Sequence, residues 1–249
     1  MPPATIDSTE AGPTAVAQDR DWLVMFGAPL LAAAVLLGLE ATDVDRMVSM
    51  WFFDSTSGMF PLRYNIFLEI VLHQWTKYVV VLIACLALAG LALSFIVAPL
   101  RPQRRLLSFL ALSLVLAPAT VSGLKLLSNK HCPWDLEEFG GFLPYTRLLD
   151  TTPPGLKAGN CFPAGHASAG FVLMAFYFAG RAQRRPGFAR AGLAAGLAAG
   201  MALGLGRMLQ GAHFLSHTLW SAVVCWIVLA LLYVAILRPR KAGGMVEIG

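Results

Sequence analysis

Four basic side chains in the second half of the chain are of the types that handle phosphate: Lys125, His166, Arg207 and His213. Lysine and arginine hold phosphate oxygens through charge-assisted hydrogen bonds. Histidine exchanges protons near neutral pH and also serves as a nucleophile. The set therefore predicts a phosphate site in which two cations bind the oxygens. One histidine would attack and the other would protonate the leaving oxygen.

The turn Pro163-Ala164-Gly165 delivers His166 to the first residue of an apolar helix. Proline restricts φ, and glycine lets the backbone approach a ligand closely. The N–H groups and the positive dipole end of such a helix start suit an anion. A histidine here that only caps its helix is the alternative, but the other basic clusters favour a ligand site.

The elements that carry these residues are predicted to be membrane-spanning helices. The chain is 57% hydrophobic and only 13% charged, which is too apolar for a water-soluble domain of this length. The predicted spans are 22–39, 78–98, 106–124, 166–180, 191–206 and 215–237. The predicted fold is an all-α membrane protein, a bundle of six transmembrane helices.

The segments between the spans differ in character. Residues 42–75 mix charged and aromatic side chains, which predicts amphipathic interfacial helices on the outer face. Residues 129–165 form a polar connection too long for an idle loop. The predicted division is a disordered cytoplasmic tail (1–20), two spans with the interfacial segment (21–105), a catalytic core (106–237) and a cytoplasmic tail (238–249).

The basic residues outside the motifs predict the orientation in the membrane. They cluster after spans two, four and six: Arg101, Arg104 and Arg105; Arg181, Arg184, Arg185 and Arg190; Arg238, Arg240 and Lys241. With six spans these clusters share one side, which the positive-inside rule makes cytoplasmic, together with both termini. The site then faces outward from a bacterial cytoplasmic membrane. Because the net charge of +5 comes in short clusters, nucleic acid is not a predicted partner.

The fifth predicted span carries a glycine at every fourth residue: Gly192, Gly196, Gly200 and Gly204. In lipid, a stripe of this kind lets two helix backbones approach closely. The stripe predicts tight helix packing, which would hold the following residues in place.

The polar clusters resemble, in order and spacing, the three motifs of the type 2 phosphatidic acid phosphatase superfamily. That family of lipid phosphatases, related to vanadium haloperoxidases, has the pattern Lys-x6-Arg-Pro, Pro-Ser-Gly-His and Ser-Arg-x5-His-x3-Asp. Here the motifs read Lys125-x6-Cys132-Pro133, Pro163-Ala164-Gly165-His166 and Gly206-Arg207-x5-His213-x3-His217. Three motifs in order are more specific than any one alone, and they cover roughly residues 106–235.

The resemblance implies a role for each matched residue. His213 would be the nucleophile that forms a phosphohistidine, and His166 the general acid for the leaving group. Lys125 and Arg207 would bind the phosphate, helped by the backbone N–H of Gly165. The resemblance implies no cofactor and no metal.

The motifs depart from the family at four positions: Cys132, Ala164, Gly206 and His217. Cys132 stands for an arginine, and the predicted substitutes are Lys130 and His131, as substrate-binding residues, or Arg147. A slow, specialised or degenerate site is the alternative. Ala164 stands in place of the motif-two serine and is itself predicted to lie in the substrate-binding site, and Gly206 stands for a second serine. His217 stands for the aspartate that orients the nucleophile, and we expect it to accept a hydrogen bond from His213.

Cys132 and Cys161 lie beside motifs one and two on the predicted outer side, where an oxidising compartment favours a disulfide. Two independent cysteines are the alternative. His213 and His217 also have a metal-ligand spacing, but Phe214 stands where a zinc protease carries its glutamate. No metal is therefore predicted.

The leading function is hydrolysis of a lipid phosphate or diphosphate, of the isoprenoid diphosphate, lipid A or phosphatidylglycerol phosphate type. A lipid-to-lipid phosphotransferase is the alternative among enzymes. A catalytically inactive protein that binds or transports lipids with the same fold is the alternative from another class. The expected partners are the substrate and the membrane lipids.

Overall fold

The computed structural model describes residues 21–150, 155–156 and 158–238, with the backbone alone for 71–73. The predicted tails lie outside the described residues, apart from Arg238. Every regular element in the described part of the chain is a helix, so the predicted all-α class is confirmed.

The described helices are numbered in chain order. They are α1 (Leu23–Leu39), α2 (Val44–Met50), α3 (Thr76–Ile96), α4 (Arg104–Leu127), α5 (Gly165–Phe171), α6 (Ala175–Ala182), α7 (Pro186–Leu209) and α8 (Leu215–Leu232). The π-helical segments Leu23–Gly27, Leu68–Trp75 and Tyr233–Leu237 open α1, lead into α3 and extend α8. Short 3-10 helices occupy Ala98–Gln103, Pro133–Asp135, Glu137–Phe139 and Val172–Met174.

Four helices in the described residues are long and apolar enough to cross a membrane: Thr76–Ile96, Ala98–Leu127, Pro186–Leu209 and Leu215–Leu237. α1 meets the same test only together with α2, and the two are bent by 77°. The predicted fourth span is divided between α5 and α6 by a 3-10 turn. The count of six spans and the interfacial position of residues 42–75 therefore stay predictions.

Some helix boundaries differ from those predicted from hydropathy, because a local feature of the sequence determines where the helix begins. α7 begins at Pro186 instead of residue 191, because a proline at the first helical position has a suitable φ and no N–H to lose. It also continues to Leu209, past the predicted end at 206. Helical structure leading into α3 starts with the π-helical segment, ahead of the predicted start at 78.

The glycine stripe of α7 packs closely against α5, α6 and α8. A Cβ added to a stripe glycine would lie 2.7 Å from Phe176 at Gly192, 2.5 Å from Met174 at Gly196, 2.2 Å from Phe171 at Gly200 and 2.2 Å from Thr218 at Gly204. These distances leave no room for a larger residue, so the predicted tight packing is confirmed. The packing holds the end of α7, with Arg207, against the start of α8.

The loops at one end of the bundle share a hydrophobic cluster of their own. Its buried members are Phe60, Leu136, Phe139 and Phe214. Gly211 has a φ of +73°, and a Cβ there would lie 2.3 Å from the Phe60 ring. The segment after α2 is thus packed onto the loops that carry motifs one and three.

The basic clusters meet at the opposite end of the bundle. Nε of Arg105 donates to the carbonyl oxygen of Ile236 at 2.8 Å. Arg181 forms an ion pair with Asp21 at 2.6 Å, which ties the start of the described chain to the end of α6. The motif residues and the basic clusters therefore occupy different ends of the same bundle. Which end faces the cytoplasm stays a prediction.

Candidate active site

Motifs one and two lie side by side because their loops are hydrogen-bonded. Lys125 is in the last turn of α4, and the chain then becomes extended. The N–H of Cys161 donates to the carbonyl of Lys130 at 2.8 Å, and the N–H of Gly159 to that of Asn129 at 3.4 Å. A Cβ on Gly159 would lie 2.2 Å from the Lys130 oxygen, so this approach requires glycine.

A disulfide joins the same two loops. Cys132 and Cys161 are bonded, with their Cα atoms 5.3 Å apart and a sequence separation of 29 positions. The family's arginine position is thus occupied by one half of a covalent cross-link. The remaining cysteines, Cys85 and Cys225, are free thiols.

The motif-two turn is attached to α8. The N–H of Ala164 donates to the carbonyl of His217 at 3.1 Å, and the Ser221 hydroxyl donates to the carbonyl of Ala164 at 2.9 Å. The Ala164 methyl group is fully buried in the main hydrophobic core. A serine in this position would carry a hydroxyl, whereas alanine contributes only packing. His166 follows in the first turn of α5.

The four basic residues converge at this end of the bundle. The ring centroids of His166 and His213 are 6.3 Å apart. Burial lowers the pKa of His213 well below its ordinary value, and the charges of neighbours, among them His217, Lys125 and Arg207, lower it further. His213 is therefore a neutral imidazole near neutral pH, which is the form able to attack phosphorus.

His217 lies beside His213 but in the described structure no hydrogen bond joins their rings. The ring centroids are 5.8 Å apart, and Nδ1 of His217 is buried without a hydrogen-bond partner among the described residues. The rings of Phe162 and Phe214 pack against the His217 ring in T-shaped arrangements, each with centroids 5.3 Å apart. Its orienting role stays a prediction. Nδ1 of His213 instead faces Sγ of Cys161 at 3.4 Å.

Arg207 is held by residues that the motifs do not include. Its Nη1 donates to Oε1 of Gln210 at 2.7 Å and lies 3.2 Å from Oε2 of Glu69. Its guanidinium carbon lies 5.7 Å from the centre of the Trp134 ring, and that of Arg63 lies 4.9 Å from the same ring. Sequence reasoning missed these partners. Only Gln210, three residues after Arg207, had a local spacing that pointed to the contact.

The predicted substitutes for the missing arginine lie outside the group formed by the four basic residues. Lys130 and His131 line a small pocket that also contains His217. Nζ of Lys130 donates to the carbonyl of Asp150 at 3.0 Å, and burial lowers the pKa of this lysine. The backbone N–H of Arg147 donates to the carboxylate of the same residue, Oδ2 of Asp150, at 2.8 Å. Lys130 and His131 therefore adjoin the four basic residues through His217.

Three neighbouring side chains are of types that bind metal ions in other proteins. Cys161, His213 and His217 place their ligand atoms within 4.8 Å of one another. A metal ligand needs a thiolate, whereas the sulfur of Cys161 is committed to the disulfide. The group then offers two imidazoles, one fewer than the three protein ligands of catalytic zinc sites.

A cavity of ≈ 390 Å³ opens beside His166 and Lys125. It lies among α3, α4, α5 and α7, and most of its lining is apolar: Val80, Val81, Ala84, Leu114, Pro118, Ala169 and Leu203. Lys77 lies at the same cavity on α3. The space has a charged end and a hydrocarbon-like remainder, which suits an amphiphile.

Residues 106–241 match the sequence model of the PAP2 superfamily. The match contains all three motifs and spans more than half of the chain. No curated protein and no solved structure matches the chain. The chain belongs to the PAP2 superfamily, a family of phosphatases.

Proposed function

We propose that the protein hydrolyses a membrane lipid phosphate or diphosphate through a phosphohistidine on His213. The meeting of Lys125, His166, Arg207 and His213 beside one cavity supports this function. The four side chains come from separate parts of the chain, and together they supply a nucleophile, a proton donor and two cations. Few other reactions need this set.

In the proposed first step, Nε2 of His213 attacks phosphorus while the bond from phosphorus to the lipid oxygen breaks. His166 donates its proton to that oxygen, and the two cations stabilise the charge on the remaining phosphate oxygens. Water then attacks the phosphohistidine, its proton passes to His166, and the N–P bond breaks. Inorganic phosphate and a lipid alcohol, or a lipid monophosphate, are the products.

Glu69 bears on substrate binding because its carboxylate pairs with Arg207. A phosphate that binds Arg207 competes with this carboxylate. The Glu69 side chain is about half exposed, so it is able to move away into solvent. The Gly165 backbone N–H, which the family resemblance assigns to the phosphate, adds a further donor.

The cavity supports a lipid substrate. Its apolar walls lie between helices, so a hydrocarbon chain fits there while its phosphate reaches Lys125 and His166. We place the site on the outer face of a bacterial cytoplasmic membrane, with the basic clusters and both termini in the cytoplasm. Isoprenoid diphosphate, lipid A and phosphatidylglycerol phosphate are the substrate types to test.

The decisive assay measures phosphate released by the detergent-solubilised protein from each of these three lipids. We expect release from at least one, with competitive inhibition by vanadate, which mimics five-coordinate phosphorus. Transfer of the phosphate to an added lipid alcohol in place of water would identify a phosphotransferase. A protein that binds these lipids but neither releases nor transfers their phosphate, and whose lipid binding does not change with vanadate, would be an inactive lipid-binding protein.

A further inference from the structure

The group that faces Nδ1 of His213 differs from the carboxylate expected of the family. His217, at the position of the aspartate, forms no hydrogen bond to His213 within the described residues, and its ring centroid is 5.8 Å away. Sγ of Cys161 lies 3.4 Å from Nδ1, which is a hydrogen-bonding distance for sulfur. Cys161 is fully buried and His213 is 3% exposed, so water does not compete for this contact.

The chemistry of the sulfur decides where the proton lies. A disulfide sulfur carries no hydrogen, so it accepts a hydrogen bond and never donates one. A hydrogen bond between these atoms therefore requires the proton on Nδ1 of His213. In a neutral imidazole the other nitrogen, Nε2, then carries a free lone pair. That lone pair is what a nucleophilic histidine uses.

We infer that the disulfide sulfur of Cys161 is the positioning group for His213, taking the place of the family's aspartate. The inference rests on the proposed nucleophilic role of His213. Sγ also lies 3.0 Å from the carbonyl oxygen of Ala212. The bridge to Cys132 prevents the sulfur from rotating away. One cross-link thus occupies the lost arginine's position and supplies the acceptor for the nucleophile.

Reduction of the bridge removes this restriction. A Cys161 thiol is able to donate its hydrogen to Nδ1, which places the imidazole proton on Nε2 and removes the lone pair. A thiolate–imidazolium pair, a second arrangement open to the reduced protein, protonates both nitrogens. The oxidised protein alone excludes both arrangements, so activity should depend on the disulfide through the tautomer of His213.

The test is nuclear magnetic resonance of the full chain labelled with ¹⁵N-histidine, in detergent. The chain has five histidines, and loss of one signal in His213→Asn assigns His213. The ¹⁵N shifts distinguish a protonated Nδ1 from a protonated Nε2. We expect Nδ1–H alone in the oxidised protein, and a mixture or the imidazolium after reduction with a phosphine. A proton on Nε2 in the oxidised protein, or one tautomer in both states, overturns the inference.

Activity and stability are followed on the same samples. The background is Cys85→Ser with Cys225→Ser, so that no other thiol exchanges with the bridge cysteines. We expect reduction to lower kcat about 10- to 100-fold, by analogy with the loss of the hydrogen-bond partner of a metal-ligating histidine. An unchanged kcat, with only the thermal midpoint lowered, would show that the bridge merely stabilises the fold and would overturn the inference.

A chemical rescue distinguishes the role of the Cys161 sulfur from the role of the cross-link. Cys132→Ala leaves Cys161 as a thiol, and methyl methanethiosulfonate converts it to a methyl disulfide without bridging the loops. In the modified fraction, quantified by mass, we expect the Nδ1–H tautomer and the rate to return while the thermal midpoint stays low. A modified protein with the tautomer of the thiol form contradicts the inference. The tautomer is read without turnover, so failure of the proposed function is scored separately.

Discussion

His213 is a neutral imidazole surrounded by charged side chains. Burial is the largest cause of its lowered pKa, and the nearby cations act in the same direction. Lys125 and Arg207 thus do two things in the proposed site: they attract the phosphate and they oppose protonation of the nucleophile. A pKa lowered this strongly by burial and by specific neighbouring charges is typical of a functional site.

Removal of either central residue tests the assignment. We expect Arg207→Ala to lower phosphate release about 10²- to 10³-fold, as for other lost charge-stabilising donors, and His213→Ala to lower it at least as much. Arg190→Ala is the matched control, because Arg190 is an exposed residue on the same helix, α7. The assay is phosphate release per folded protein. Release at the wild-type rate from either site variant would refute the assigned roles.

The pH dependence follows from the sign of the His213 shift. The neutral form attacks, and a lowered pKa keeps it neutral at mildly acidic pH. We therefore expect kcat to stay level as the pH falls through about 6.5, the ordinary histidine pKa, and to decline only well below that value. A decline centred near the ordinary value would contradict the burial of this group.

The variant Lys125→Met tests whether the Lys125 charge contributes to the lowered pKa of His213. Loss of the Lys125 charge makes protonation of His213 easier, so the acidic decline should move to higher pH in the residual activity of this variant. Lys77→Met is the control, because Lys77 lies on the same cavity but is not among the charges that lower the His213 pKa. An identical shift in both lysine variants would contradict the specific effect of Lys125.

The two helices that flank the segment from Arg207 to His213, α7 and α8, are each held in place by a different set of contacts. The glycine stripe brings α7 against α5, α6 and α8. The start of α8 is held by Asp45 of α2, which accepts a hydrogen bond from the Ser216 backbone N–H at 2.8 Å and another from the Ser216 hydroxyl. This carboxylate occupies the place of an N-cap, where negative charge is favourable. The loop between Arg207 and His213 is therefore anchored at both ends.

The packing role of the glycine stripe can be tested by replacing one of its glycines with a larger residue. Gly192→Val places a side chain against the backbone of Phe176, which cannot yield, so we expect a loss of about 1–3 kcal/mol or more in unfolding free energy. Gly187→Ala in the same helix is the control, because nothing lies within 4 Å of its added Cβ. Thermal unfolding in detergent measures both. A midpoint of Gly192→Val equal to that of the control would contradict the packing role.

The whole molecule is polarised along its length. The motif residues lie at one end, whereas Arg105, Arg181 and Arg238 gather at the other, near Asp21 and Ile236. This separation agrees with a site facing outward and a basic surface facing the cytoplasm.

Labelling of single cysteines tests this orientation. On a background without Cys85 and Cys225, we expect Ser57→Cys to react with a membrane-impermeant maleimide in intact spheroplasts. Gly187→Cys should react only after lysis. Both positions are exposed, so a difference between them reports the side of the membrane and not burial. The reverse pattern would place the site in the cytoplasm.

The sequence by itself determined the helical class, the family and the residues that gather at the site. Long apolar segments have few alternatives in lipid, because every backbone polar group must be satisfied within a helix. The glycine stripe was readable because a four-residue period lies on one helix face. The three motifs were readable because their spacing is local to each helix end.

Only the tertiary structure decided which groups support those residues. The partners of Arg207, the Asp45 contact with Ser216 and the sulfur that faces His213 join segments distant in sequence. Local spacing predicted His217 as the partner of His213, since the two are one helical turn apart. Yet His213 precedes the first turn of α8, so their relation is not that of neighbours on one helix. The contact of Nδ1 with the disulfide depends on how three loops pack, which no periodicity along the chain encodes.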